Sequence, residues 1–160
     1  LVYNTQYLTG EALPKDLKDL IDSNWNGRIG WAPGNASFIY MVTAMRMLWG
    51  ESETRTWLEA IQLKKPQVYP NNSSQVVAAA NGEIDIGMVN HYYVHRFLGE
   101  EGETFGARNH YLTSGGPGSI VMISGVGILK SGDNEQNARE FIRYLLSKKA
   151  QEYFANQTFE

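Results

Sequence analysis

The chain has no cysteine. Disulfide staples, thiolate metal sites and a cysteine nucleophile are thereby excluded, although a cysteine-free chain suits either side of a membrane. An excess of positive charge is also missing: 14 Lys and Arg stand against 17 Asp and Glu, for a net charge of -3. A nucleic-acid partner would favour a basic face, so that class is set aside. No stretch approaches the ~20 apolar residues that a membrane-crossing helix needs. Enzyme signatures are lacking as well. There is no G-x-S-x-G, no G-x-x-x-x-G-K-[ST] and no H-E-x-x-H, and Gly115-Gly116-Pro117-Gly118 is a glycine-rich turn without the G-x-G-x-x-G spacing. The 17 acidic residues are scattered, with no pair spaced for acid/base work.

What is present is ordinary globular material: 160 residues, 42% hydrophobic and 19% charged, enough for one domain with a sizeable core. The chain opens at Leu1 directly in the strand-like LVYNT and stops in the polar ANQTFE. It is read as a piece of a longer protein.

The pattern alternates short strands with helices. Strands are expected at 1–5, 28–32, 67–69, 83–89, near 105–112 and near 119–130. In the run at 83–89, Ile84, Ile86 and Met88 should share one face. A brief helix is expected over 13–24. Another carries Phe38, Met41, Met45, Leu48 and Trp49 at 3–4 spacing and ends at Gly50. Ser52 is placed to cap the next, with Trp57, Leu58 and Ile61 inward. Further helices follow Pro70-Asn71-Asn72-Ser73-Ser74 and Asn90. Asp133 to Gln136 reads as a capping box opening a helix with Phe141, Ile142, Leu145 and Leu146 buried, and a short helix holds Ala150 to Phe154. Strands alternating with such helices imply an α/β sandwich, a mainly parallel sheet flanked by helices. Ligands of such sheets sit beyond the carboxyl ends of the strands.

Three strand-to-helix junctions are chemically unusual: Pro33-Gly34-Asn35-Ala36-Ser37, Asn71-Asn72-Ser73-Ser74 and Asn90-His91-Tyr92-Tyr93. In a parallel sheet all three open on one edge. Helix N-termini expose unpaired N–H groups and the positive end of the dipole, so they attract anions. Asn and Ser at such places ordinarily serve as caps; three junctions on one edge raise an anion site beside that reading.

Tyr92 and Tyr93 are sharper. A phenol, with a pKa near ~10, loses its proton to a hard trivalent cation, and phenolate oxygen suits Fe(III) better than it suits soft or divalent ions. Aromatic packing is the ordinary role of a Tyr-Tyr pair; at a strand-to-helix bend both side chains can reach one ion. His91 and His95, four apart, could share a helix face as a zinc pair does. The residues between them offer no third ligand, so packing or surface roles fit better. His110, in a strand-like run, is read as structural.

In order and spacing, GRIGWAPGNASF, VYPNNSSQVV, NGEIDIGMVNHYY and PGSIVMISGVGILK resemble the ferric ion-binding proteins, sometimes called bacterial transferrins. The resemblance covers essentially the whole chain, and its most specific block is Asn90 to Tyr93. It implies one lobe of a periplasmic binding protein of type II, in a two-lobed receptor of the Venus-flytrap kind. Two tyrosines, matching Tyr92 and Tyr93, would bind Fe(III). A synergistic anion, phosphate or carbonate, would lie on Asn35, Ala36 and Ser37, on Asn72 and on Asn90. A third tyrosine used by some members falls on Phe38 here, so a three-tyrosine site is not expected. Where the family often has Ser-Gly-Ala in the first loop this chain has Asn35-Ala36-Ser37, which leaves the anion open.

The resemblance further implies that residues 1–124 form the metal- and anion-binding lobe, beginning at a hinge strand. Residues 125–160 would cross to the other lobe, which supplies further ligands and lies outside this chain. Lacking that lobe, the helices after Asp133 would seek another partner, such as a swapped dimer. The implied function is that of the solute receptor of an iron ABC importer, periplasmic or otherwise extracytoplasmic, recognised by a membrane permease and not an enzyme. Two rivals keep the architecture: a receptor for sulfate, phosphate, thiamine or polyamine, and a regulatory effector-binding domain.

Overall fold

The computed structural model describes residues 1–113 and 115–158; Phe159 and Glu160, the end of the polar stretch, lie outside the described residues. The chain divides into two compact units, Leu1–Ile120 and Val121–Glu160. No described helix is long and apolar enough to cross a membrane.

The first unit is built on five short strands: β1 (Val2–Asn4), β2 (Ile29–Trp31), β3 (Gln67–Val68), β4 (Ile86–Gly87) and β5 (Ala107–Asn109), in the order β3-β2-β4-β1-β5. β2 runs parallel to both β3 and β4, whereas β1 is antiparallel to β4 and β5. Four strands therefore point one way and β1 alone is reversed, which is the mainly parallel sheet expected.

One sheet face carries α1 (Ala36–Leu48) and α2 (Glu51–Leu63); the other carries α3 (Asn72–Ala80) and α4 (His91–Glu101). Two apolar clusters match the two faces. Ile29, Ile86 and Met88 pack with Met41, Met45, Trp57 and Ile61. Val2 and Ala107 pack with Val76, Ala79, Val94 and Phe105. Ile84, Ile86 and Met88 are all buried, but not on one face, because Ile84 joins the second cluster. Regular pairing begins only at Ile86, so the two-residue period does not extend back to Ile84.

Local chemistry moves several boundaries. The stretch 13–24 forms two 3-10 turns, Leu17–Ile21 and Ser23–Trp25, rather than one helix. Asp16 accepts from the Lys18 N–H, and Asp19 reaches back to the Asp16 N–H at 3.0 Å. Leu17 and Leu20, three apart, then point inward together, as a three-residue turn allows. Leu48 is exposed, not buried, because Trp49 at the end of α1 takes the inward place beside Trp57. Ser52 does not cap α2. Gly50 holds that position with φ of +84°, a conformation that favours glycine.

The strand expected near 119–130 does not form. Pro117–Ser119 is a 3-10 turn, and 121–129 has no regular structure and no paired neighbour among the described residues. The second unit holds α5 (Glu135–Leu145) and α6 (Lys148–Tyr153). The expected capping box is absent: Asn134 takes the cap position and its side chain makes no capping bond. No α5 residue is buried; Phe141 and Leu146 are exposed, and Ile142 and Leu145 are half-buried. Their burial needs a surface that the described residues of this unit do not supply.

Candidate metal and anion site

β2, β3 and β4 are parallel neighbours, and each leads into a helix: β2 into α1, β3 into α3, β4 into α4. The three junctions singled out above therefore share the carboxyl edge of the sheet.

In the first junction, Asn35 is the N-cap of α1. Its Oδ1 accepts from the Ser37 N–H at 3.0 Å and from the Ser37 hydroxyl at 2.7 Å. Ala36 is the first helical residue. In the second junction the cap is Asn71, whose Oδ1 accepts from the Ser74 N–H at 2.9 Å. Asn72 is thus released from capping. It is buried, and its Nδ2 donates to Ser37 Oγ at 3.2 Å. Asn72, Ser37 and Asn35 form a continuous chain of hydrogen bonds that ties two junctions together.

The third junction departs from simple capping. Asn90 has the extended backbone of an N-cap, yet its side chain caps nothing. Its Nδ2 donates to Tyr92 Oη at 2.9 Å instead. Asn90 therefore gives the first turn of α4, at the positive end of the helix dipole, no side-chain cap. Tyr92 and Tyr93 lie in that turn, both half-buried. Their ring centroids are 4.6 Å apart at 33°. Adjacent helical side chains diverge by about 100°, so ring contact between neighbours is a matter of side-chain orientation and not of helix spacing.

Two positioning residues escaped the sequence reading. Gln75 is fully buried in α3, and its amide exchanges two bonds of 3.2 Å with the Met88 backbone, pinning the chain that leads to Asn90. Asn109, the last residue of β5, donates to the His91 carbonyl at 2.9 Å and anchors the start of α4. A glutamine opening the apolar run VVAAA was the available signal for the first. Nothing in the sequence marks the second, since the contact spans 18 positions.

Other aromatic and imidazole groups sort by their contacts. Phe38 is buried edge-on against Trp31 at 5.6 Å and offers no donor. The Tyr69 phenol is pushed up from its ordinary value by burial first and then by Glu83, so it stays protonated. The His91 imidazole, on an exposed residue, is held below its ordinary value by partial desolvation of the ring, then by His95 and the amino terminus. His110 contacts the Pro14 carbonyl at 2.6 Å and stacks edge-on with Tyr3, a structural role as expected. Among the described residues two buried polar atoms have no hydrogen-bond partner, Trp31 Nε1 and Asn109 Oδ1; both belong to last residues of strands ending at this edge. Among the described residues no group of three or more His, Cys, Asp or Glu converges to hold a metal. Tyr92 and Tyr93 bring a pair of phenols to this edge, with amide and hydroxyl groups of the neighbouring junctions beside them.

Known proteins are similar to this chain in sequence and fold. The chain is 35% identical over 153 residues to the major ferric iron-binding protein of Neisseria meningitidis serogroup B, covering 94% of this chain and 46% of that protein. It is 35% identical over 161 residues to the Fe(3+)-binding periplasmic protein of Serratia marcescens, covering 99% and 47%. The crystal structure of iron-bound HitA from Pseudomonas aeruginosa superposes with a TM-score of 0.88 at 34% identity, covering 98% of this chain and 51% of that one. The chain thus spans about half the length of the curated relatives it matches. Over residues 1–159 it matches the bacterial extracellular solute-binding proteins, and it belongs to that family.

Proposed function

We propose that this chain is the Fe(III)-carrying lobe of a ferric solute receptor serving an iron ABC importer outside the cytoplasm. The observation that carries the reading is the Tyr92–Tyr93 pair, 4.6 Å between rings, in the first turn of α4, with Asn90 turned to the Tyr92 oxygen instead of capping. The ferric names of its relatives and its own family membership support the same reading.

The mechanism is capture rather than catalysis. Fe(III) displaces the phenol protons of Tyr92 and Tyr93, and the phenolates offset part of its charge. A synergistic anion, phosphate or carbonate, offsets more. It rests at the N-termini of α1 and α3, among Asn35, Ala36, Ser37 and Asn72, and against Asn90 at the start of α4. Asn90 also steadies the Tyr92 oxygen. β1, reversed against the sheet and beginning at the site edge, serves as one hinge strand to a second lobe. Closure of that lobe adds ligands and excludes water, and the closed form is what the membrane permease recognises. Acidification releases the metal by returning protons to the phenolates.

The rival cargoes, sulfate, phosphate, thiamine or polyamine, have no use for two ionisable phenols at the cleft edge. Titration with ferric citrate in the presence of phosphate or carbonate separates the readings. A visible phenolate-to-iron charge-transfer band is expected, and it should vanish in Tyr92→Phe/Tyr93→Phe. Unchanged ferric uptake by that double variant sinks the assignment.

A further inference from the structure

We infer that His91 and His95 form a second cation site on α4, one that takes a borderline divalent ion such as Zn(II), Cu(II) or Ni(II) and is distinct in chemistry from the phenol pair. The two imidazoles occupy successive turns of α4, with ring centroids 6.1 Å apart and planes at 78°. An ion held ~2.1 Å from one nitrogen of each ring in tetrahedral geometry needs the centroids about 5.3 Å apart. The observed 6.1 Å exceeds that by less than an ångström, which a small side-chain rotation closes.

The sequence shows no third group beside the pair, because the intervening residues are Tyr92, Tyr93 and Val94. The fold adds an aromatic neighbour and an anchor, and leaves the remaining coordination positions to water. Tyr111, just beyond β5, brings its ring to 6.3 Å from the His91 ring, forming an open aromatic wall on that side. Asn109 fixes the His91 backbone through its bond to the carbonyl, so one ligand is anchored on a rigid strand end. His91 and Tyr111 are exposed and His95 is half-exposed, which leaves an approach from solvent and room for water in the remaining coordination positions.

The ligand chemistry selects the ion. Neutral imidazole suits Zn(II), Cu(II) and Ni(II), whereas phenolate suits Fe(III). Two neighbouring sites therefore sort ions by softness and charge. The His91 ring also lies 5.7 Å from the Tyr92 ring, so a divalent ion here places positive charge beside the phenol pair and should weaken ferric loading.

The test is calorimetric titration of the chain with zinc chloride, paired with Cu(II) electron paramagnetic resonance. The unaltered chain should bind one Zn(II), and its Cu(II) spectrum should carry nitrogen splitting from two imidazoles. His95→Gln should weaken Zn(II) binding roughly tenfold or more and leave one-nitrogen splitting, with the helical circular dichroism unchanged. Tyr92→Phe/Tyr93→Phe should keep both signals. Zinc binding that survives His95→Gln, or that disappears with the tyrosines, overturns the assignment, as does a copper spectrum without nitrogen splitting.

Discussion

At the scale of single residues, the site depends on side chains that do something other than their commonest job. Asn90 sits where an asparagine caps a helix and instead holds the Tyr92 oxygen. Asn90→Ala should retain the ferric band but weaken ferric binding about tenfold, a cost of ~1.4 kcal/mol, in competition against citrate. Asn4 shows the structural counterpart. It is buried in β1, donates to the Ala79 carbonyl at 2.7 Å and accepts from the Gln6 and Tyr7 N–H groups. Asn4→Ala leaves those groups unpaired and should cost about 2–4 kcal/mol in denaturant unfolding. His91 gives a pH signature. Its folded pKa is lowered, chiefly by partial desolvation of the ring, so the fold favours the neutral ring. Its contribution is intact above the ordinary value near ~6.5 and declines as pH falls below it. An NMR titration should place the His91 midpoint below that ordinary value.

At the scale of elements, what the sequence could specify was the periodic and the punctuated. Met41, Met45, Trp57 and Ile61 recur at helical spacing and are buried as expected. Asn35 stands at the helix start that its side-chain chemistry predicts. The three junctions share one edge because β2, β3 and β4 are parallel, which strand-helix alternation implies. Long-range bonds were not legible. Asn72 to Ser37 spans 35 positions, and no local pattern distinguishes the buried Asn72 from its capping neighbour Asn71. The strand ends also misled, since β-propensity in Ile120 to Ile123 finds no partner strand among the described residues to satisfy its backbone. Close packing of elements was equally invisible. A Cβ on Gly106 would sit 2.5 Å from the backbone oxygen of Ala80, and backbone cannot yield as a side chain can. Gly106→Ala should therefore destabilise by about 1–3 kcal/mol, read from the urea midpoint.

At the scale of the whole molecule, the two units differ in kind. Leu1–Ile120 contains both apolar clusters. Val121–Glu160 has Ala150 as its only fully buried apolar residue among those described and exposes Phe141, Tyr144, Leu146 and Tyr153. That pattern fits the proposal that α5 and α6 belong against a second lobe. Apolar surface of this extent promotes association, and covering Phe141 alone is worth about 1.5–3 kcal/mol. The chain by itself should self-associate in sedimentation velocity, and Phe141→Ser/Leu146→Ser should shift it toward monomer. Ferric affinity should likewise be lower for this chain than for a receptor carrying both lobes.

The central claim is that Fe(III) sits on two adjacent phenols, and a crystal of the ferric-loaded chain measured at the iron absorption edge tests it directly. The account predicts one anomalous peak within bonding distance of both Tyr92 Oη and Tyr93 Oη, at the carboxyl edge of β2, β3 and β4. A ferric peak seated elsewhere, with the two phenols unligated, would contradict it.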